Sequence, residues 1–261
     1  MRISTASQQL QFEVGRTMLF YGVTGVGKTV FGAQAPGCVD FDMEGGSVSI
    51  QPGRKDIPVS FPDIPIINIE SWSDIMEVQA AFTSMKPGEK LIKLRGQEIP
   101  IETALLDTIG ELGRIIMFDV LRGANREVPR FDEWNLAIER VRRTCRFFRD
   151  LRLKGLNVIF IAHEDYEKQD LTSTIMGLPD VLGRQLPQEV AGYMDIVCHM
   201  TFRTDPKTGV QERVLCTQRD GIFVGRDRTW ALDKYEPADF PKFWAKVLKS
   251  KEQSNNEQGA K

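Results

Sequence analysis

Thr17-Met18-Leu19-Phe20-Tyr21-Gly22-Val23-Thr24-Gly25-Val26-Gly27-Lys28-Thr29-Val30-Phe31-Gly32-Ala33-Gln34 is the stretch on which the reading of this chain turns. Thr17 to Tyr21 reads as a buried strand, and Val30 to Gln34 as the start of a helix. Between them Gly22–Thr29 has the complete GxxxxGK[ST] form of a phosphate-binding loop. In such a strand-loop-helix unit the loop from Gly22 through Val23, Thr24, Gly25, Val26 and Gly27 wraps nucleotide phosphates with backbone amides. The glycines let the backbone approach without a Cβ clash. Lys28 would reach the β- and γ-phosphates, and the Thr29 hydroxyl would ligate Mg²⁺. The expected ligands are therefore ATP and Mg²⁺.

A length of 261 residues fits one α/β domain, expected over 1–249, with a polar, disordered tail at 250–261. The net charge of -2 excludes a global basic field, so any nucleic-acid contact must come from a local patch. Cys38, Cys145, Cys198 and Cys216 are far apart and form no CxxC pair, which reads as reduced, buried thiols. The start lacks an apolar signal core and no run reaches membrane-spanning length. A cytoplasmic protein without a membrane partner is expected.

Working outward, Pro36-Gly37 stops the first helix, and Cys38–Phe41 reads as a strand ending in Asp42-Met43-Glu44-Gly45-Gly46. The stretch 51–64 is Pro-rich and loop-like, and Ile66–Ile69 is a strand. Ser73–Ser84 has helical spacing with Ser73 as N-cap, and a small hairpin flanks Arg95-Gly96-Gln97. Thr103–Asp107 is a buried strand, followed by a helix near Glu111–Phe118 and an arginine-rich loop at 119–132. Glu133–Leu153 forms a long amphipathic helix, and Val158–Ala162 a strand ending at His163-Glu164. The stretch 165–187 reads as irregular. Strands follow at Ile196–Arg203, Val210–Thr217 and Gly221–Gly225, the first two joined by the turn at 205–209, and Phe240–Lys249 is a closing helix. Early strand-helix alternation and late antiparallel strands together give an α/β fold: a mostly parallel central sheet with an antiparallel C-terminal extension.

Three side chains stand where such sheets collect ligands, at the carboxyl ends of strands. Asp107 is placed to hold Mg²⁺, though a strand-end Asp is also an ordinary feature. The next residue is Thr108, so a general base must come from elsewhere, and Glu44 in its Gly turn is the best candidate. His163 either orients the γ-phosphate or water, or is a satisfied structural histidine. His199, inside a strand, reads as structural or exposed.

Together these blocks resemble the RecA/RadA recombinase superfamily, and within it the reduced, phage-encoded RecA-like ATPases found beside single-strand annealing proteins. The resembling blocks are Gly22–Thr29, Asp40–Gly46, Ala104–Thr108, Val158–Glu164 and Val224–Arg228, in the family's order. The resemblance implies a RecA-like P-loop core, with Glu44 catalytic and His163 coupling the γ-phosphate to a DNA-binding loop. It also implies that Arg226 and Arg228 reach across a subunit interface to a neighbour's ATP. Homo-oligomeric rings or filaments on single-stranded DNA are further implications, as are a phage single-strand-binding or annealing protein as partner and the host cytoplasm as location.

The chain departs from full recombinases in showing no extra DNA-binding domain, and in having His163 where glutamine is usual. The residues after His163 include Asp165, Glu167 and Asp170 rather than a basic cluster. The better DNA footprint is Arg122, Arg126 and Arg130, with Arg114 nearby; a solvated loop or a subunit contact is the competing reading. The arginines at 140, 142, 143, 146 and 149 define no single stripe and read as mostly solvated. Three functions remain open: an ATPase on single-stranded DNA, an ATP-loaded assembly module with little turnover, and a nucleoside phosphate or small-molecule kinase. No compact lid signature of a kinase follows the P-loop.

Overall fold

The computed structural model describes residues 15–50, 63–168, 175–204 and 209–259. Residues 1–14, most of the Pro-rich loop (51–62), Asp170 and most of the 205–209 turn lie outside those residues. At the centre is a sheet built on β1 (Thr17–Gly22), whose six residues are all buried. Its neighbours are β7 (Asn157–Lys168) and β9 (Ile196–Thr204), both parallel to it. Beyond β7 stand β6 (Thr103–Asp107), β2 (Cys38–Asp42) and β3 (Ile66–Asn68), again parallel. Beyond β9 the direction reverses: β10 (Gln211–Cys216) and β12 (Tyr235–Pro237) continue the sheet antiparallel. The α/β fold with a mostly parallel sheet and an antiparallel C-terminal extension is thus observed. A separate hairpin, β4 (Leu91–Leu94) with β5 (Gln97–Pro100), sits where the sequence places it.

Strand alternation divides the core into two layers. Leu19 and Tyr21 of β1 face a layer with Phe41, Leu106 and Phe160. Four helices cover it: α2 (Trp72–Ser84), α3 (Ile109–Gly123), α4 (Phe131–Asp150) and α5 (Leu186–Tyr193). Met18 and Phe20 face the other layer, where Phe31 of the short α1 (Lys28–Gly32) meets Phe240 and Phe243 of α6 (Phe240–Gly259). All four cysteines are buried free thiols, as their apolar surroundings imply. No helix among the described residues is long and apolar enough to cross a membrane.

Several local expectations are corrected. The N-cap of α2 is Ser71, not Ser73: Ser71 and Asp74 form a reciprocal capping box, which satisfies two orphan amides where Ser73 would satisfy one. The loop at 119–132 is shorter, because α3 continues through Gly123 and α4 begins at Phe131. Irregular structure at 165–187 is replaced by a hairpin: β7 runs on to Lys168 and pairs with β8 (Ile175–Pro179), and α5 starts at Leu186. Gly221–Gly225 forms only isolated bridges at Phe223; the strand there is β11 (Arg226–Asp227), paired with β9. Helix α6 extends to Gly259, into the stretch expected to be a tail. The arginines of α4 are not merely solvated. Arg140 binds Asp119 of α3, and Arg142 and Arg146 bind Glu189 of α5, so charge pairing ties three helices together.

Candidate active site

The carboxyl ends of β1, β2, β6 and β7 meet around a cavity of about 450 Å³. Its wall includes Thr24, Gly25, Gly27, Lys28, Thr29, Glu44, Asp107 and His163; of the nucleotide and catalytic candidates, Gly22, Val23, Val26 and the arginine pair do not line it. The loop can turn there because Gly25 and Gly27 have φ of 80° and 95°, values that L side chains rarely adopt.

Lys28 Nζ folds back on the loop, donating to the carbonyls of Gly22 (2.9 Å) and Val23 (3.0 Å). Burial lowers its pKa, against the attraction of Asp107, Glu44 and Glu164. Thr29 Oγ1 donates to Asp107 Oδ2 at 2.5 Å. Burial pushes Asp107 up to about 6, with the Thr29 bond opposing. One hydroxyl and one carboxylate oxygen in contact are hard donors that suit Mg²⁺. The described residues include no cluster of three or more His, Cys, Asp or Glu able to hold a metal. Thr108 is the buried N-cap of α3, accepting from the Glu111 amide.

Glu44 sits in a turn that Asp42 holds. Asp42 Oδ1 accepts from the amides of Glu44, Gly45 and Gly46, and Oδ2 from Ser47. Burial would raise the Asp42 pKa, but bonds from Ser47, Gly45 and Glu44 outweigh it and hold the carboxyl below its usual range. Sequence reasoning missed Asp42. Its signal is an Asp two residues before a Glu-Gly-Gly turn, the arrangement in which a carboxylate collects consecutive amides.

His163 Nε2 contacts both Glu44 oxygens, at 2.9 and 3.1 Å, and Nδ1 meets Thr24 Oγ1 at 3.2 Å. An ionised Glu44 only accepts, so Nε2 donates to it, while the Thr24 hydroxyl can either donate to or accept from Nδ1. His199 takes the structural role. It is buried, bonded to Glu164 at 2.8 Å and stacked on Phe223 at 3.7 Å.

Arg226 and Arg228 lie away from the cavity. Arg226 pairs with Val197 in a register that sets it level with the lower half of β1. Both guanidiniums donate to the Gly192 carbonyl in the last turn of α5, at 3.3 and 3.0 Å, so the two side chains share a face as alternation requires. Arg122, Arg126 and Arg130 are also remote. They lie at the exposed junction of α3 and α4, the first two paired with Asp119 and Glu133 at 2.8 and 2.7 Å.

Below the site, Asp40 is fully buried and neither carboxyl oxygen has a hydrogen-bond partner among the described residues. Burial, with the nearby charges of Asp107 and Asp42, raises its pKa from 3.8 to about 8. Unfolded, it ionises near pH 3.9, so the folded state binds the extra proton between about pH 4 and 8. The Asp40 contribution to stability therefore falls as pH rises through that window, by up to about 1.4 kcal/mol per pH unit. Asp40→Asn removes the titration. The expected result is a melting temperature whose gain over the parent grows from pH 5 to pH 8. Parallel melting curves for the two proteins across that range would refute this account.

A family model for AAA domains (AAA_24) matches residues 15–229. No curated protein matches the sequence. Among solved structures, the chain is similar to a KaiC-like protein, PH0186, from the hyperthermophilic archaeon Pyrococcus horikoshii OT3. That match has 15% identity over 79% of each chain and a TM-score of 0.41. It is also similar to the flagellar accessory protein FlaH from Methanocaldococcus jannaschii. There the identity is 10%, over 90% of this chain and 92% of that one, with a TM-score of 0.44.

Proposed function

The chain belongs to the AAA domain family, and we propose that it is a RecA-like ATPase that hydrolyses ATP and acts as a homo-oligomer on single-stranded DNA. The observation that carries the ATPase reading is the meeting of Lys28, the Thr29–Asp107 pair and the Glu44–His163 pair around one cavity. Mg²⁺ held at Thr29 and Asp107 would neutralise charge on the phosphoryl oxygens. Lys28 exchanges its bonds to the Gly22 and Val23 carbonyls for terminal phosphate oxygens. Glu44 takes the proton of the attacking water on a carboxylate oxygen. His163 holds the Glu44 rotamer, and Thr24 in turn steadies the His163 ring, so the base is oriented from within the phosphate loop.

Single-stranded DNA is supported by composition at the junction of α3 and α4. Arg122, Arg126 and Arg130 are interleaved there with the exposed side chains of Phe118, Val128, Phe131 and Trp134. Guanidiniums beside exposed aromatic rings suit an unpaired strand, whose phosphates and base faces are both accessible. The order of the sequence blocks, which resembles phage-encoded RecA-like ATPases, supports a place in phage recombination or replication in the host cytoplasm, beside a single-strand-binding or annealing protein.

The test is binding of an oligonucleotide across a salt series. Replacing Arg122, Arg126 and Arg130 by Ala should weaken binding and flatten the plot of log affinity against log salt. Three lost phosphate contacts correspond to a slope change of about 2. An unchanged slope would move the DNA site elsewhere, first to the β7–β8 hairpin. DNA that binds without stimulating phosphate release would favour the assembly module.

A further inference from the structure

The cavity has one cationic side chain that no sequence motif singles out. Arg213 lies on β10 opposite Phe202 of β9. On β9, His199 is level with Tyr21 at the end of β1, so Phe202 is three residues further on. At about 3.3 Å per residue the β9–β10 hairpin projects about 10 Å past the β1 ladder, beside the phosphate loop. Arg213 lines the same cavity as Lys28, Glu44 and His163.

The guanidinium rests against Gly27. A Cβ built on Gly27 would stand 2.9 Å from Arg213 Nη1 and 3.0 Å from Cζ. Gly27 is required for its backbone angle, and a side chain there would displace the guanidinium from the loop. The guanidinium lies 5.6 Å from the centre of the Phe202 ring, which holds it on that side. Among the described residues it forms no ion pair or hydrogen bond. The other arginines beside helices α3 and α4 contrast with this, most being matched to a carboxylate. Around Lys28 the nearby charges are acidic: Asp107, Glu44 and Glu164. A polyphosphate entering this cavity needs more positive charge than Lys28 supplies, and an unpaired guanidinium against the loop provides it in a geometry suited to phosphate oxygens.

We propose that Arg213 is a phosphate-binding residue acting in cis, closing the phosphate loop from the β9–β10 hairpin onto the nucleotide of its own subunit. The proposal rests on the P-loop reading of Gly22–Thr29. It makes nucleotide affinity a property of the single chain, independent of assembly.

The test measures equilibrium binding of Mg-ATP, and competition by inorganic tripolyphosphate, at several protein concentrations. Arg213→Ala should weaken both ligands at least about tenfold, by the same factor at every protein concentration. Arg213→Lys should recover part of the loss, because it restores charge without the planar fork. Arg213 is exposed and its side chain makes no hydrogen bond among the described residues, so the unliganded variants should melt with the parent; Arg213→Gln is a second neutral variant that retains part of the stem. Affinity within twofold of the parent for both neutral variants would overturn the proposal. So would a loss for ATP but not tripolyphosphate, which would assign Arg213 to the base or sugar. Lys28→Ala is run in parallel. If it leaves Mg-ATP affinity intact, the P-loop reading falls and the proposal with it. If Lys28→Ala loses binding while the Arg213 variants keep it, the proposal alone falls.

Discussion

Glu44→Gln should leave Mg-ATP bound while slowing hydrolysis by at least about a hundredfold, the usual scale for losing a general base. The amide is nearly isosteric and still accepts a hydrogen bond from His163 Nε2, so the turn held by Asp42 should survive. What is lost is the carboxylate that receives the proton. No second carboxylate among the described residues is equally placed. Asp107 is engaged by Thr29, Asp42 is occupied by four amides, and Glu164 is bonded to His199 and Tyr166. Single-turnover measurement with preformed enzyme–ATP complex separates chemistry from binding. Turnover near that of the parent would move the base to another residue, with His163 next in line.

Features with a local cause were legible in the sequence. The strand–loop–helix unit at Gly22–Thr29 carries its own constraints, and Glu44 and Asp107 could be placed beside the cavity because strands ending in acids mark the ligand side of a parallel sheet. The hairpin at Arg95–Gln97 was readable for the same reason: its turn residues sit between two short apolar runs. Errors arose where local signals were equivocal. Ser71 and Ser73 both look like N-caps until Asp74 selects the first by reaching back to it. The β7–β8 pairing joins Glu164 to Pro179 and Lys168 to Ile175, a contact invisible to periodicity within either strand.

Non-local contacts also hid part of the site. Arg213 belongs to the cavity only because β10 runs antiparallel to β9 and returns beside Gly27, a residue from the far end of the chain. The Thr24–His163–Glu44 chain likewise joins two loops and strand β7, whose spacing in sequence carries no hint of contact. The two histidines could not be sorted from sequence. Their roles follow from which face of the sheet each occupies: His163 at the open cavity, His199 enclosed by Tyr21, Glu164 and Phe223.

Replacing both Arg226 and Arg228 by Ala should abolish most ATP turnover, with activity recovered by mixing that variant with Lys28→Ala. The structure narrows the reasons. Arg226 is level with the lower part of β1, about 10 Å short of Gly22 at a rise of about 3.3 Å per residue, with the phosphate loop farther still. Bonded to the Gly192 carbonyl, neither guanidinium faces its own cavity. An action on ATP must therefore be on a neighbour's. Trp230, two residues on and 92% exposed, places a large apolar group beside the pair, a composition suited to a subunit contact. An arginine delivered across such a contact is worth about a thousandfold or more in phosphoryl transfer, because it meets charge that develops on the moving group. The competing account is structural: two cations bonded to a carbonyl in the last turn of α5 favour that helix end. The two accounts differ in a mixture. If the pair only steadies α5, mixing the two inactive variants yields nothing beyond their sum. If it acts in trans, about a quarter of the interfaces in an equal, random head-to-tail mixture join an intact P-loop to an intact arginine pair. Activity should then reappear only on mixing and rise with total protein concentration. Normal hydrolysis by the double variant alone would end the assignment.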